Sequence, residues 1–214
     1  MSDHTHSDDT QSGNNPETDA LIARARAGDE GALAELFEAY RARLRRMVDT
    51  RMDRRLRGRI DASDVLQEAY LHLAQKLEGY VERDNMSFFL WLRLVTGECL
   101  LGLHRHHLQT KKRDVGLEIA LVQGPMPMTD SYSIAAQLLG KHTTASQKLM
   151  RAEAQLELEA ALNGMEPIDR EILVLRHFEE LSASEAAAVL RIEPSAASNR
   201  YYRALRRLKR VLEE

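Results

Sequence analysis

The stretch from Leu181 to Leu212, LSASEAAAVLRIEPSAASNRYYRALRRLKRVL, constrains this chain more than any other, because its helix boundaries are set by local chemistry at both ends of a turn. Ser182 and Glu185 stand at the spacing of a capping box, in which the hydroxyl accepts the backbone N–H three residues on and the carboxylate reaches back to the cap. A helix is therefore predicted from Ala183, with Ala186, Ala187 and Leu190 as a slim apolar face. Arg191-Ile192-Glu193 reads as the turn. Pro194 then opens a second helix in its first turn, where the missing N–H costs nothing. On that helix Ala197, Tyr201, Leu205, Leu208 and Leu212 recur at spacings of three and four and form the expected inward stripe. Ser195, Ser198, Asn199, Tyr202, Arg203 and Arg206 share a different face, short polar groups first and long cations after. A helix entering a major groove by its N-terminus needs that order, with small groups at base edges and cations reaching phosphates. Asn pairs bidentately with adenine and Arg with guanine, each worth about 1–3 kcal/mol of discrimination. The plain alternative is an amphipathic C-terminal helix with a solvated basic face; the capped short helix and turn just before it favour a helix-turn-helix.

The rest of the 214-residue chain is 43% hydrophobic but only 5% aromatic, with Leu and Ala dominating, so an all-α fold is expected, in one or two small domains. No apolar run is long enough to span a bilayer, and the polar start MSDHTHSDDTQSGNNPETD lacks the apolar centre of a signal peptide. The single cysteine excludes an internal disulfide framework, and the expectation is a cytoplasmic protein without a membrane partner. A net charge of −3 argues against nucleic acid as a partner until the charges are placed. Residues 1–20 hold acids and no Lys or Arg, whereas cations crowd residues 41–59, 105–113 and 200–210. Local field, not the total, sets phosphate affinity.

Residues 1–18 carry no apolar pattern and are expected to be a disordered tail, in which His4 and His6 have no role. Asp19 is the expected cap of a short helix to Ala27, stopped by Gly28; Asp29 caps a long one with Leu33, Leu36, Phe37, Tyr40, Leu44, Met47, Val48 and Met52 in helical register and a break at Gly58. Asp61-Ala62-Ser63-Asp64 begins another helix, its acids favoured by the dipole, with Leu66, Tyr70, Leu73 and Leu77 inward. Asp64, Gln67, Glu68 and Leu71 form a second face, which is either solvated surface or a dock for a basic helix. Beyond the polar loop 82–85, Ser87 caps FFLWLRLVTGECLLGLHRHHLQTKKRD, with Phe88, Leu92, Val95, Cys99 and Leu103 on the buried side. Aromatic residues followed by cations suit single-stranded nucleic acid, while the core competes for Phe88, Phe89 and above all Trp91. His104, His106 and His107 with Cys99 raise the question of zinc, but no carboxylate or thiol falls at a ligand spacing. No metal or other cofactor is expected; partial positive charge near phosphate is the preferred reading. Residues 114–150 lose periodicity, contain the breakers Gly124-Pro125-Met126-Pro127 and are expected to be a flexible linker with a short helix at Ile134–Leu139, long enough that the two halves need not touch. A second domain, 151–214, starts with a helix facing inward through Ala152, Leu156, Leu158 and Leu162, closed by Gly164; Pro167 opens the next, with Ile168, Ile172, Leu175 and Phe178 inward.

With these blocks in place the chain resembles the extracytoplasmic-function (ECF) group of the bacterial sigma-70 family. Asp64-Val65-Leu66-Gln67-Glu68-Ala69-Tyr70 resembles the family's region 2.2, Phe88 to Arg113 with Trp91-Leu92 sits where regions 2.3 and 2.4 belong, and Asp169 to Phe178 with the helix-turn-helix resembles region 4. The resemblance implies a region 2 domain at 19–113, a region 4 domain at 151–214, and no catalysis. It implies that Asp64, Gln67, Glu68 and Leu71 dock on core RNA polymerase. It further implies that the helix carrying Glu98, His104, Arg105 and His107, with Lys111, Lys112 and Arg113 after it, meets the minus-10 element of promoter DNA. Ser195, Ser198, Asn199, Arg200, Tyr202, Arg203 and Arg206 would read the minus-35 element as duplex. Glu98 stands where many members carry Asn; a carboxylate accepts from cytosine N4 but repels phosphate. The resemblance also allows an anti-sigma partner, which nothing in the sequence identifies. Two other readings stand beside it: a helix-turn-helix regulator that acts without replacing a sigma factor, its N-terminal block sensing a ligand, and a His-dependent metalloenzyme, for which no nucleophile, phosphate loop or paired acid speaks.

Overall fold

The structure, a computed structural model, describes residues 14–80, 86–108, 129–139 and 147–213, and among them it is all-α. Helix α1 spans Pro16–Arg26, α2 Glu30–Arg51, α3 Ala62–Lys76 and α4 Phe88–Leu108. The second half comprises α5 (Ser131–Leu138), α6 (Gln147–Asn163), α7 (Pro167–Leu173), α8 (Ala183–Leu190) and α9 (Pro194–Glu213).

The helix ends follow side-chain chemistry. Helix α1 begins three residues before the expected Asp19 cap, because the Asn15 side chain accepts from Thr18 N and Pro16 takes the first-turn position. Thr18, expected in the tail, is buried and shares a 2.8 Å hydrogen bond with the Tyr40 hydroxyl. Asp29 caps α2 through Ala32 N. That helix stops at Arg51, before the break expected at Gly58, which sits instead at φ 112° in the turn that follows. Asp61 and Asp64 form a full capping box for α3. Helix α5 starts from an Asp130 cap, three residues ahead of the expected Ile134.

The N-terminal core is built on α2, with Leu36, Leu44, Met47 and Val48 packed against Val65, Leu66 and Leu73 of α3 and Phe88, Leu92 and Leu100 of α4. Tyr80, Phe88 and Trp91 cluster with ring centroids 5.1–5.6 Å apart, so Phe88 belongs to the core while Trp91 is half-buried at its edge. A second core joins α5, α6, α7 and α9 through Ile134, Leu158, Leu162, Leu173 and Leu208. Leu156 is 66% exposed, contrary to the inward face read from sequence. Two residues apart on a helix cannot point the same way, and Leu158 and Leu162 hold the buried side. On α9 the buried stripe is Ala197, Ala204 and Leu208, with Tyr201 and Leu205 half-buried on either flank.

The two halves, expected to need no contact, pack together. The π-helical turn Val174–Phe178 and the start of α8 lie on α2 and α4, and Ile172, Leu175, Leu181 and Ala186 join the N-terminal core. Within this contact Arg51 Nε lies 2.5 Å from Glu179 Oε1, Arg51 Nη2 lies 2.5 Å from Glu171 Oε1, and Arg93 Nε lies 2.7 Å from Glu179 Oε2. All four side chains are at most 6% exposed. Outside them Arg43 reaches Glu185 at 2.8 Å and Arg46 reaches Glu180 at 3.0 Å. Thr129 Oγ1 donates to the Thr50 carbonyl and Arg54 stacks 3.7 Å from the Tyr132 ring, so α5 too touches the end of α2.

Two outcomes follow. Arg191 is exposed and left-handed at φ 53°, ψ 45°. Replacing it with Gly removes a penalty of roughly 1–2 kcal/mol against roughly 0.5–1 kcal/mol of added unfolded-state entropy; Arg191→Gly is expected to raise the melting temperature by about 2 °C in calorimetry. Burial pushes the Glu179 carboxyl up, but Arg51 and Arg93, assisted by their hydrogen bonds, outweigh it and hold the group below the ordinary 4.5. Its stabilising effect is therefore complete above pH 4.5 and lost as pH falls below that value. On acidification the scattering radius of the chain is expected to rise before helical circular dichroism is lost.

Candidate functional site

Two faces carry the residues singled out in the sequence, one on each half. On α3, Val65, Leu66, Ala69 and Leu73 are buried against α2 and α4, which turns Asp64, Gln67, Glu68 and Leu71 to solvent together. Leu71 is 56% exposed, an apolar side chain among acids. Asp64 also serves the α3 cap, where its Oδ2 accepts from Asp61 N at 2.8 Å. Glu68 lies 3.4 Å from His72 Nε2, and His72 Nδ1 lies 3.3 Å from Cys99 Sγ. Burial, with Glu68 nearby, pushes the Cys99 thiol up to about 11, so it stays protonated at neutral pH. Cys99 thus faces His72 rather than the histidines at the end of α4. Among the described residues no group of three or more His, Cys, Asp or Glu is placed to hold a metal ion.

The expected minus-10 residues are divided. Glu98 and Arg105, two turns apart, are both exposed on α4, and Glu98 is held by Lys76 at 2.6 Å. His104 lies on another side, half-buried, its Nε2 accepting from Asp53 N at 3.4 Å. Burial lowers the His104 pKa; Asp53 opposes this and Arg55 adds to it. His104 is therefore a neutral ring at pH 7, not the partial cation expected. His107 is half-buried and its ring meets His106 edge-on at 4.9 Å. Lys111, Lys112 and Arg113 lie outside the described residues, as do Glu82 to Asn85 and the Gly124 to Pro127 breakers.

On α9 the capping box of α8, the left-handed Arg191 and Pro194 set the helix pair, and the buried Ala197–Ala204–Leu208 stripe orients the rest. Ser195, Asn199, Tyr202, Arg203 and Arg206 are exposed, with Ser198 half-buried beside them. Tyr202, at 61% exposed, stands free of the core. Arg200 is different: it binds Asp169 at 2.5 Å and Glu166 at 3.0 Å, so its charge is committed within this half. Arg207 and Arg210, which the polar-then-basic pattern does not include, are exposed further along the helix. Leu138 of α5 borders the groove along this face with Asn199, Tyr202 and Arg206.

Residues 155–208 match the Sigma-70, region 4 family. The chain is 30% identical over 191 residues to the ECF RNA polymerase sigma factor SigD of Mycobacterium tuberculosis, covering 89% of this chain and 82% of that one. This chain is a member of the ECF sigma factors. It is also 22% identical over 195 residues to the ECF RNA polymerase sigma factor SigW of Bacillus subtilis, 90% of this chain and 95% of the relative. The solved structure of CnrH, in complex with the cytosolic domain of CnrY, has the same fold: TM-score 0.51 at 19% identity, over 92% of this chain and 97% of that one. As a sigma factor the protein recognises promoters for RNA polymerase. The similarity runs through both halves, which leaves no place for an unrelated sensing block before the helix-turn-helix.

The double role of Asp64 separates two variants. Asp64→Arg breaks the cap and sets a cation at a helix N-terminus, with an expected loss of about 1 kcal/mol in chemical denaturation. Glu68→Arg, one turn on and uninvolved in the cap, is expected to stay within about 0.5 kcal/mol of the parent.

Proposed function

We propose that the α3 face, Asp64, Gln67, Glu68 and Leu71, is the dock for core RNA polymerase, and that the outer face of α9 reads the minus-35 element. The observation that carries this is the coincidence of exposure with pattern: Asp64, Gln67 and Glu68 of α3 are exposed together with an uncovered Leu71, and on α9 Ser195, Asn199, Tyr202, Arg203 and Arg206 are exposed with Ser198 half-buried beside them. A partner helix with cations around an apolar stripe fits the first. A major groove fits the second, with Ser195, Ser198 and Asn199 at base edges, Tyr202 beside them and Arg203 and Arg206 at phosphates. Arg200 positions the helix through Asp169 and Glu166 and contributes less to DNA than its neighbours.

The minus-10 element falls to the end of α4 and the segment after it. Arg105, Lys111, Lys112 and Arg113 supply charge, and His104 and His107 offer imidazole rings beside them. Glu98, neutralised in part by Lys76, repels phosphate less than its charge alone suggests. In this reading the stretch to residue 113, which begins with α1 rather than at the expected residue 19, and residues 151–214 are the two working domains, 114–150 connects them, and α5 travels with the second, on whose core it lies. The protein works in the cytoplasm without catalysis or cofactor of its own. No helix among the described residues is long and apolar enough to cross a membrane. That CnrH is seen in complex with the cytosolic domain of CnrY supports a protein partner here as well, in keeping with the anti-sigma partner the resemblance allows.

The direct test is transcription from a genomic promoter library by core RNA polymerase with and without this protein; new start sites sharing two spaced upstream elements are the expected result. Gln67→Arg with Glu68→Arg is expected to abolish co-purification with core polymerase at unchanged helicity, and normal co-purification would remove the docking assignment. Arg203→Ala with Arg206→Ala is expected to weaken promoter binding and to lower the salt slope by about 2, one phosphate for each arginine.

A further inference from the structure

The turn between α2 and α3 holds Arg54, Arg55, Arg57 and Arg59, a basic run that neither the α3 dock nor the outer face of α9 takes up. Its shape is fixed from inside. Leu56 is fully buried in the N-terminal core, its N–H donates to the Asp53 carbonyl at 2.9 Å, Arg59 N donates to the Leu56 carbonyl at 2.9 Å, and a backbone bridge pairs Arg57 with Ile60. Between those two residues Gly58, at φ 112°, marks an open tip where a Cβ would meet nothing. The four arginines are committed to different degrees. Arg55 is answered by Asp53, Nη2 to Oδ2 at 2.6 Å, and Arg54 lies over the Tyr132 ring of α5. Arg57 Nη2 donates to the Asp49 carbonyl at 2.9 Å, a bond that orients the guanidinium without cancelling its charge. Arg59 is exposed and, among the described residues, its side chain has neither an ion pair nor a hydrogen bond. His104 ties the turn to the end of α4, its Nε2 accepting from Asp53 N at 3.4 Å.

Charge narrows the partner. The acidic face of α3 fits a cationic helix, which the arginines just before it repel, so the turn does not extend that dock. The turn contains no aromatic residue on which the bases of a single strand could stack. Phosphates of a duplex fit the planar guanidinium forks. The turn stands between the end of α4 and, through Arg54 and Tyr132, α5, which lies on the core of the half that carries α9. We propose that Arg57 and Arg59 hold backbone phosphates of the duplex spacer between the minus-35 and minus-10 elements, on the side next to minus-10, a role that depends on the end of α4 facing that element. His104 is the positioning residue that keeps the turn in this place, while Asp53 and Tyr132 occupy Arg55 and Arg54 on its near side. Contacts of this kind carry no base information; they orient the first half on the duplex and add affinity that falls with salt.

The test uses holoenzyme assembled from the full chain and core RNA polymerase, on a promoter from which it starts transcription. Arg57→Ala with Arg59→Ala is expected to leave helicity and holoenzyme assembly unchanged, to weaken promoter binding about tenfold, and to lower the salt slope by about 2. The loss is expected to be equal on promoters altered at minus-10, because their phosphates are the same. Arg57→Lys with Arg59→Lys keeps the charge and is expected to recover most of the slope. Arg41→Ala with Arg45→Ala removes the same charge from the exposed side of α2 and is expected to change affinity no more than about twofold. Uncharged methylphosphonate linkages in the spacer, within one helical turn of minus-10, are expected to weaken binding by the parent and not by the alanine variant. An unchanged slope, a slope that lysine does not recover, a loss that varies with the minus-10 sequence, or a loss matched by the α2 control overturns the phosphate contact. Sensitivity to uncharged linkages confined to other parts of the promoter overturns its place in the spacer, and loss of holoenzyme assembly assigns the turn to protein and overturns it altogether. Failure of the parent to direct transcription removes the sigma-factor roles, and an Arg105→Ala variant without effect on minus-10 binding removes the placement of α4, each read apart from the turn variants.

Discussion

The arrangement of the two halves depends on Glu179. Its carboxylate is fully buried; one oxygen accepts from both Arg51 and Arg93, the other from Arg93 again, and Glu171 completes the charge balance. Four charges taken out of water together tolerate little displacement, since an unpaired buried charge costs several kcal/mol. The apolar residues around them, Ile172, Leu175 and Leu181, do not specify a register with comparable strictness; the guanidinium forks do. The position of the π-helical turn against α2 and α4, and through it of α8 and α9, follows from this cluster.

Within each half the determinants are more local. Helix α2 serves as the inner wall for α1, α3 and α4, and the burial of Val65, Leu66, Ala69 and Leu73 is what turns the acidic side of α3 outward. In the second half the small side chains Ala186, Ala187 and Ala197 let α8 and α9 pack closely. The acidic face of α3 and the polar-then-basic face of α9 are both by-products of burying the opposite side. Glu185 links the two levels: it completes the α8 capping box through Ser182 N and also receives Arg43 from α2.

Several elements are legible in the sequence because their signals are local. The Ser182–Glu185 box, the Pro194 start, the Asp29 cap and the acidic start of α3 each involve partners within a few residues, where chain geometry leaves little choice. The differences between pattern and structure have several origins. Composition points Leu156 inward, although it and Leu158 cannot share a face. Size favours Leu205 over Ala204 for the buried stripe, yet close approach of the helices selects the smaller side chain. Among its neighbours His104 reads as one more cation, but its surroundings are set by the turn at Asp53, far away in sequence.

The sequence by itself determined the starts of the helices capped at Asp29, Asp61 and Ser182, the all-α class, the family and the two patterned faces, because each depends on periodicity or on contacts a few residues apart. Only the tertiary structure decided that the halves close on each other, that Arg200 is spent on Asp169 and Glu166, and that Arg51 and Arg93 share Glu179 across 128 and 86 residues of chain. Arg93 does leave a trace, as a lone charge within FFLWLRLV, but a trace of that kind states only that a partner is needed. Which carboxylate answers it is a matter of where distant segments meet, and no local pattern encodes that.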